Sequence, residues 1–143
     1  MKVKTSELTG IALDWAVAAA NGYRRCMPAD LTIDALSDLI YETEGWADEN
    51  GFDRWSAIII DGRLWQPSTD WSQGGPIIER EEIGTRRNAP CSKGREWEAG
   101  PSITAKGAGG KYGYGPTPLI AAMRCYVASK LGDEVEIPEE LLK

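Results

Sequence analysis

The residues from Ala105 to Thr117 include five glycines and lead directly into the start of a helix. Glycine-rich backbone before a helix can direct N–H groups and the positive end of the helix dipole at a phosphate. Lys111 adds a cation, and Tyr112 and Tyr114 add rings on which a base can stack. The segment matches neither a Walker A nor a complete G-x-G-x-x-G pattern, so a surface loop without a ligand is an equal alternative.

A phosphate site is expected where this segment meets the helix. Backbone N–H groups at Gly115 and Thr117 would hold the phosphate together with Lys111 and Arg124. Residues 84–132 carry a charge balance of +6, whereas residues 1–83 carry −8 and the C-terminal residues carry −4. A basic middle in an acidic chain favours a local anion site, although charges scattered over a solvated surface explain it equally well.

A second candidate segment, Ser68-Thr69-Asp70-Trp71, follows a predicted hairpin strand. The hydroxyl and carboxylate groups of Ser68, Thr69 and Asp70 can bind the hydroxyls of a ribose, and the Trp71 indole can stack on a base. In the alternative, Ser68 or Thr69 caps a helix and Trp71 packs in the core. The sequence leaves both interpretations open.

Histidine is absent, which removes Ser-His-Asp and Cys-His triads and histidine-dependent metal sites. The three cysteines are far apart and form no CxxC pair, so neither a disulfide framework nor a zinc site is expected. We therefore predict no catalytic residue, no metal and no cofactor. A net charge of −6 argues against binding of duplex DNA, because phosphate neutralisation dominates that affinity.

The sequence gives no sign of membrane contact. No apolar run approaches the roughly 20 residues that a spanning helix needs. The start MKVKTSELTG also lacks the apolar region of a secretory signal. Together with the cysteine pattern, this predicts a protein of a reducing cytoplasm. The oligomeric state is left open, a homo-oligomer included.

The elements that would position these residues follow from the hydrophobic spacing. A first helix is predicted with Thr5 or Ser6 as its cap and Asn21-Gly22 as its stop. A second helix is predicted to begin after Asp30 or Thr32. Its apolar stripe comprises Ile33, Leu36, Leu39 and Ile40.

The middle of the chain changes to a spacing typical of strands. Arg54–Ile60 is predicted as a buried strand, Asp61-Gly62 as a two-residue turn and Arg63–Gln66 as the returning strand. From Ser68 to Glu82 we predict a short helix or ordered loop, which Gly74-Gly75-Pro76 would weaken.

Short strands are predicted at Glu96–Ala99 and Ser102–Ala105, around a long loop. The last helix is the clearest element, with Thr117 as its cap, Pro118 at its first position and Gly132 as its stop. Its apolar face comprises Leu119, Ile120, Met123, Val127 and Leu131. The acidic tail is predicted to add an edge strand or a final turn.

These elements predict an α+β fold. We expect one domain over residues 1–143, in which helices pack on a small antiparallel sheet in an α-β-α sandwich-like arrangement. No internal repeat or linker divides the chain.

Three segments resemble the NinX-like family of small phage and prophage proteins. They are MKVKTSELTGIALDWAVAAANG (1–22), QPSTDWSQGGPIIEREEI (66–83) and GPTPLIAAMRCYVASKLGDEVEIPEELL (115–142). The second and third are also similar to a compact phage α-β-α sandwich domain. The resemblance implies phage origin, expression in the cytoplasm of a bacterial host and an accessory role. It brings no catalytic residues to transfer.

We therefore expect a non-enzymatic phage protein that binds and sequesters a small, anionic, nucleotide-like ligand, such as a host immune signal. The alternative is an interaction protein that inhibits or redirects a host protein, which the acidic tail and the six tryptophans favour. A third alternative is a nucleotide-degrading enzyme that uses Asp70 or Glu79 with a metal ion.

Overall fold

The computed structural model describes residues 1–22, 24–26, 39–43, 57–60, 63–88, 93–101, 111–137 and 139–142. Within these ranges the α-helices are α1 (Gly10–Ala20), α2 (Trp71–Arg80) and α3 (Pro118–Leu131), and 3₁₀ turns occur at Thr5–Glu7 and Glu139–Leu142. The strands there are β1 (Lys2–Lys4), β2 (Arg24–Cys26), β3 (Leu39–Thr43), β4 (Ala57–Ile60), β5 (Arg63–Leu64), β6 (Ile83–Arg87), β7 (Trp97–Pro101), β8 (Gly113–Gly115) and β9 (Glu134–Glu136).

The described strands form three sheets. Strand β1 pairs with β9, and β6, β7 and β8 follow one another in a second sheet, with all of these pairs antiparallel. The third sheet has the order β2-β3-β4-β5 and is antiparallel except for the parallel pair of β2 and β3. The predicted α+β class, with helices on small antiparallel sheets, is confirmed.

The main hydrophobic core is built around α1 and α3. Both helices are buried along most of their length and contact each other. Small side chains such as Ala16 and Ala122, both fully buried in this core, leave room for the helices to approach. None of the helices in the described ranges has the length and apolar character needed to cross a membrane.

Helix α1 begins later than predicted, so the assignment of Thr5 or Ser6 as its cap is wrong. The residue before the helix is Thr9, whose side chain makes no capping bond. Thr5 instead donates its hydroxyl hydrogen to the Gly132 carbonyl at 2.7 Å, which ties the N-terminal segment to the end of α3. The predicted stop is confirmed, since Gly22 follows the helix with a φ of +93°.

Residues Leu39–Thr43 form strand β3, so the prediction that Leu39 and Ile40 belong to a helix is wrong. The earlier part of that predicted helix lies outside the described residues. The strand pairs with β2 on one edge and with β4 on the other. Pairing on both edges outweighs a local helical spacing, because strand formation depends on the neighbours available.

The predicted hairpin is confirmed in its pairing, although the returning strand ends at Leu64 and does not reach Gln66. Strands β4 and β5 pair antiparallel, with Ile59 opposite Leu64 and Ile60 opposite Arg63. Two residues therefore connect the paired ends, as the Asp61-Gly62 signal predicts. The turn itself and residues 54–56 lie outside the described residues.

Helix α2 begins after Asp70, whose carboxylate accepts a hydrogen bond from the Ser72 N–H at 2.9 Å. The prediction that Ser68 or Thr69 caps this helix is therefore wrong. Gly74 faces α3 so closely that a Cβ atom there would lie 2.5 Å from a leucine side chain. Gly74, which locally disfavours the helix, therefore lets α2 lie against α3.

Helix α3 follows the prediction closely. The Thr117 hydroxyl accepts a hydrogen bond from the Ile120 N–H at 3.1 Å, Pro118 opens the helix and Gly132 ends it. Nine of its residues are buried, so the buried surface of this helix is much wider than the single apolar face that the sequence predicts. Leu131, assigned to the apolar face, is exposed at the last position.

The remaining strand predictions were partly correct. The acidic tail forms both an edge strand, β9, and a final 3₁₀ turn at Glu139–Leu142. The strand predicted at Glu96–Ala99 corresponds to β7, shifted toward the C-terminus. Strands β1, β2, β6 and β8 were not predicted, and Ser102–Ala105 lies outside the described residues.

Strand β8 lies directly beneath the backbone of α3. A Cβ atom added to Gly113 would lie 2.5 Å from the Cys125 nitrogen, and one added to Gly115 would lie 2.9 Å from the Ile120 side chain. Only glycine lets the helix and strand approach this closely, because the neighbours of Gly113 are backbone atoms that have no alternative position.

We predict that Gly113→Ala lowers the free energy of unfolding by about 2–3 kcal/mol, because the new methyl group must push α3 away from β8. Gly84→Ala is the matched control, since a Cβ there would meet only the Gly100 carbonyl oxygen at 3.8 Å. Urea denaturation of both variants measures the difference. Equal stability of the two variants would contradict the close helix–strand contact.

Candidate functional site

The packing of α3 on β8 determines the direction of two tyrosine side chains, Tyr112 just before this strand and Tyr114 within it. Successive side chains of a strand lie on opposite faces of the sheet. Because Gly113 and Gly115 face α3, Tyr112 and Tyr114 project from the opposite face of the β6-β7-β8 sheet. The aromatic side chains predicted to stack on a base therefore share one surface.

The Tyr112 ring lies against the backbone of β7. A Cβ atom added to Gly100 would fall 2.5 Å from two carbons of this ring. The ring thus covers Gly100, while 57% of the Tyr112 surface stays exposed. One side of the Tyr112 ring therefore packs on the sheet, and the other side is open to solvent.

Tyr114 lies in a row with two charged residues. The strand register aligns it with Glu98 and aligns Glu98 with Arg86. The Arg86 guanidinium donates to Glu98 at 2.8 Å. The guanidinium carbon of Arg95 lies 4.3 Å from the centre of the Tyr114 ring, which is a cation–π contact.

We call this surface the tyrosine face. Its members project from the side of the β6-β7-β8 sheet opposite α3 or cover that side, and they are Arg86, Arg95, Glu98, Gly100, Tyr112 and Tyr114. Stacking surfaces and guanidinium groups lie together on it, which is the combination that binds bases and phosphates.

A cavity of about 270 Å³ opens beside β8. Its wall contains two of the aromatic residues, Tyr112 and Tyr114, and the buried Arg124. The other lining residues come from β8, the N-terminal segment, the end of α3 and the start of β9, and they are Gly113, Lys4, Thr5, Ser6, Ala128, Asp133 and Glu134. Two cations and two carboxylates line it, so the charge of the cavity itself is balanced.

Arg124 is occupied by the fold. Only 7% of its surface is exposed. Its Nε donates to the Leu8 carbonyl at 2.9 Å and its Nη1 donates to the Tyr114 carbonyl at 2.6 Å. Burial lowers the pKa of this guanidinium from its usual value, but an arginine stays charged at neutral pH. Two of its donors therefore fix the backbone beside the cavity.

The other residues of the expected phosphate site lie elsewhere. Lys111 pairs with Asp133 at 3.3 Å, and both side chains are exposed. Thr117 uses its hydroxyl to cap α3, and Gly115 packs against the first turn of that helix. Neither Gly115, Thr117 nor Lys111 lines the 270 Å³ cavity.

The segment Ser68-Thr69-Asp70-Trp71 also lies apart from this cavity. Ser68 is buried and donates its backbone N–H to Asp14 at 2.8 Å. Asp70 caps α2, and the Thr69 side chain is exposed. Trp71 is 54% exposed, so the alternative that it packs in the core is wrong. The structure does not bring these four residues together with the tyrosines in that cavity.

Asp14 is a buried carboxylic acid that the sequence did not single out. Burial raises its pKa from 3.8 to about 6, and interactions with Ser68 oppose that rise. The Ser68 hydroxyl is close enough to act on the carboxylate, although its geometry falls short of a hydrogen bond. The Trp65 indole donates to the Asp14 carbonyl at 3.0 Å. Through its bonds with Trp65 and Ser68, Asp14 connects α1 with the segment before α2.

A second, polar pocket of about 330 Å³ lies where α1 and α2 end. The Tyr126 hydroxyl donates to Asn21 at 2.6 Å, and Arg80 donates to both of these side chains. Glu81 lies within ion-pair distance of Arg80 and Lys130. These polar groups mainly satisfy one another, which indicates a structural network.

No group of three or more histidine, cysteine, aspartate or glutamate side chains in the described ranges could hold a metal ion. The metal-dependent alternative assigns its chemistry to Asp70 or Glu79. Asp70, which that alternative uses, accepts hydrogen bonds from both the backbone and the hydroxyl of Ser72.

Sequence reasoning missed Arg86, Arg95 and Gly100 as members of the candidate site. For Arg86 and Gly100 the signal is the alternation within TRR and WEAGP, which places every second residue on one face of a strand. Arg95 precedes β7, and no sequence pattern marks it. The register that aligns Arg86, Glu98 and Tyr114 follows only from the pairing of three strands.

A protein-family model covers most of the chain. The family model described as Bacteriophage P22, NinX, matches residues 4–130 of the chain. No curated protein matches the chain.

We predict that Asp14→Asn stabilises the protein above pH 6. An acid whose pKa rises on folding stabilises the folded state fully below its unfolded value, and this contribution is lost as the pH rises through the folded value. As the pH rises from 3.8 to about 6, the contribution of Asp14 to the free energy of unfolding falls by about 3 kcal/mol. Asparagine keeps an oxygen that can accept the Ser68 N–H and carries no charge.

The measurement is urea denaturation of both proteins from pH 4 to pH 8. The variant should be more stable by about 1–3 kcal/mol at pH 8, and the difference should shrink toward pH 4, where the wild-type carboxyl is protonated. A constant difference across this range would show that Asp14 is not buried with a raised pKa.

Proposed function

We propose that this chain, which belongs to the NinX family of bacteriophage P22, is a phage accessory protein that binds a small nucleotide-like anion. In this proposal the protein sequesters its ligand, such as a host immune signal, and does not turn it over. The family membership supports the phage origin. The ligand is proposed from the geometry of the residues.

The observation that carries the proposal is the position of Tyr112 and Tyr114. Both line the 270 Å³ cavity beside β8, and both belong to the open tyrosine face. A base that stacks on an aromatic side chain gains roughly 1–3 kcal/mol. Two such rings on one face of the sheet suit a ligand that has a flat aromatic part.

The anionic part of the ligand must be held by cations outside the balanced cavity. Lys111 and Arg86 are exposed. Lys111 pairs with Asp133, and Arg86 pairs with Glu98. The Lys111–Asp133 pair is exposed on both sides and therefore weak, so a phosphate can displace Asp133 at small cost. The Glu98 side chain is only 12% exposed and is harder to displace from Arg86. Arg95 has its guanidinium on the Tyr114 ring and adds a third cation nearby.

Binding without turnover is favoured by what the polar residues do. The sequence contains no histidine to serve as a general base. Asp70, a candidate for catalysis, caps α2, and Glu98 holds Arg86. These carboxylates serve positions in the fold, which supports sequestration over hydrolysis.

Calorimetric titration with cyclic nucleotides and ADP-ribose derivatives tests the proposal. We expect binding by the wild-type protein and a loss of about tenfold or more in affinity for Tyr114→Leu, which removes one stacking ring. Trp71→Leu is the control, because Trp71 does not line the cavity. The proposal fails if no compound produces heat or a thermal shift.

Two exposed apolar side chains favour a second candidate function, an interaction with a host protein. Leu64 is 47% exposed and Trp71 is 54% exposed. Gln73 connects their segments, because its side chain donates to the Leu64 carbonyl at 2.6 Å and accepts from the Gln66 N–H at 2.7 Å. Exposed aromatic residues are enriched where proteins bind one another.

This candidate predicts one stoichiometric partner in a pull-down from host lysate. Trp71→Ala should abolish the capture, because tryptophan supplies much of the binding energy at such surfaces. Tyr114→Leu should leave the capture unchanged. The opposite pattern, with loss only for Tyr114→Leu, would assign the partner to the tyrosine face and reject the surface at Trp71.

A further inference from the structure

We infer that the tyrosine face binds a unit of two nucleobases joined through a phosphate. This inference rests on the proposed function and defines the class of its ligand. It follows from how Tyr112 and Tyr114 are placed in the sheet, from what covers each ring and from the position of the arginines.

The two rings have separate supports. Tyr112 and Tyr114 are two residues apart, so their Cα atoms lie about 7 Å apart along the strand. The Tyr112 ring rests on the backbone at Gly100, whereas the Tyr114 ring is covered by the Arg95 guanidinium. One base can stack on the open side of Tyr112, and a second can stack on the planar guanidinium above Tyr114, since bases stack on both kinds of surface.

The sheet explains why these surfaces face the same way. Gly113 separates the tyrosines and lies against α3, so neither ring can turn to the other side of the sheet. Sheets that present aromatic residues in this manner stack two or three consecutive bases of a single strand. The arrangement therefore provides two adjacent stacking positions on one rigid surface.

Cations flank the second stacking position. Arg86 lies in the same row as Tyr114, across Glu98, and Arg95 lies on the ring itself. A guanidinium binds phosphate oxygens with two parallel hydrogen bonds. A phosphate that joins the two bases would lie near these groups and compete with Glu98 for Arg86.

Gly100 makes the first stacking position possible. Any side chain there would meet the Tyr112 ring, since even a Cβ atom would lie 2.5 Å from it. The obstacle is the end of a flexible side chain, so the ring can swing away without unfolding the sheet. Gly100→Ala thus removes a stacking surface and leaves every charged group in place.

The experiment compares ligands that contain one base or two. Wild-type protein is titrated by calorimetry with a mononucleotide, a linear dinucleotide, a cyclic dinucleotide and a single-stranded octamer, in each of the four bases. We expect the two-base ligands to bind at least about tenfold more tightly than the mononucleotide, because a second base stacks. The dinucleotides and the octamer distinguish a free small ligand from a segment of a strand.

Gly100→Ala should reduce this preference to less than about threefold, because a two-base ligand then keeps one of its two stacking positions. Gly84→Ala is the matched control, because Gly84 pairs with Gly100 but has room for a methyl group. Thermal unfolding verifies that both variants fold. If Gly100→Ala does not fold, Tyr112→Leu removes the same ring and serves in its place.

Each outcome decides the inference. Equal affinity for one and two bases overturns it and leaves the proposed function standing. Binding of no probe overturns both. Binding of the octamer alone supports the two-base face and contradicts sequestration of a small ligand. A preference for two bases that survives in Gly100→Ala and in Tyr112→Leu removes the ligand from this face and overturns the inference.

Discussion

The close contact between α3 and β8 is the constraint on which the candidate site depends. Gly113 and Gly115 allow the helix to lie on the strand, because a Cβ atom at either position would collide with α3. Tyr114, which lies between these glycines, and Tyr112, which precedes them, must then point away from the helix. A core contact therefore creates an aromatic surface on the outside of the sheet. The same strand edge forms one wall of the neighbouring cavity.

Arg124 reinforces this arrangement from the core side. Its guanidinium joins the carbonyls of Leu8 and Tyr114 and thereby connects the segment before α1 with β8. A buried arginine with carbonyl partners satisfies backbone groups that would otherwise be costly to bury. The cation that the sequence assigned to a phosphate thus has a clear role in the fold. The exposed Arg86 and Arg95 are better placed to meet an anion.

Local signals predicted the elements whose ends and faces depend on neighbours in the chain. The start of α3 follows from Thr117 and Pro118, and the β4–β5 hairpin follows from a two-residue turn signal. The strand at Leu39–Thr43 was predicted as a helix, because only its pairing with two other strands decides its conformation. Asp70 caps α2 in place of Ser68 or Thr69, and Ser68 is buried beside Asp14.

The sequence by itself determined the fold class, the family resemblance and the residue types from which a nucleotide site can be built. It singled out Tyr112 and Tyr114 as candidate stacking residues from their chemistry alone. Only the tertiary structure decided that they share a face with Arg86, Arg95 and Gly100, because strand register joins residues far apart in the chain. It also decided that Arg124 is buried and that Trp71 is exposed. Burial depends on what packs against a residue, and no local pattern carries that information.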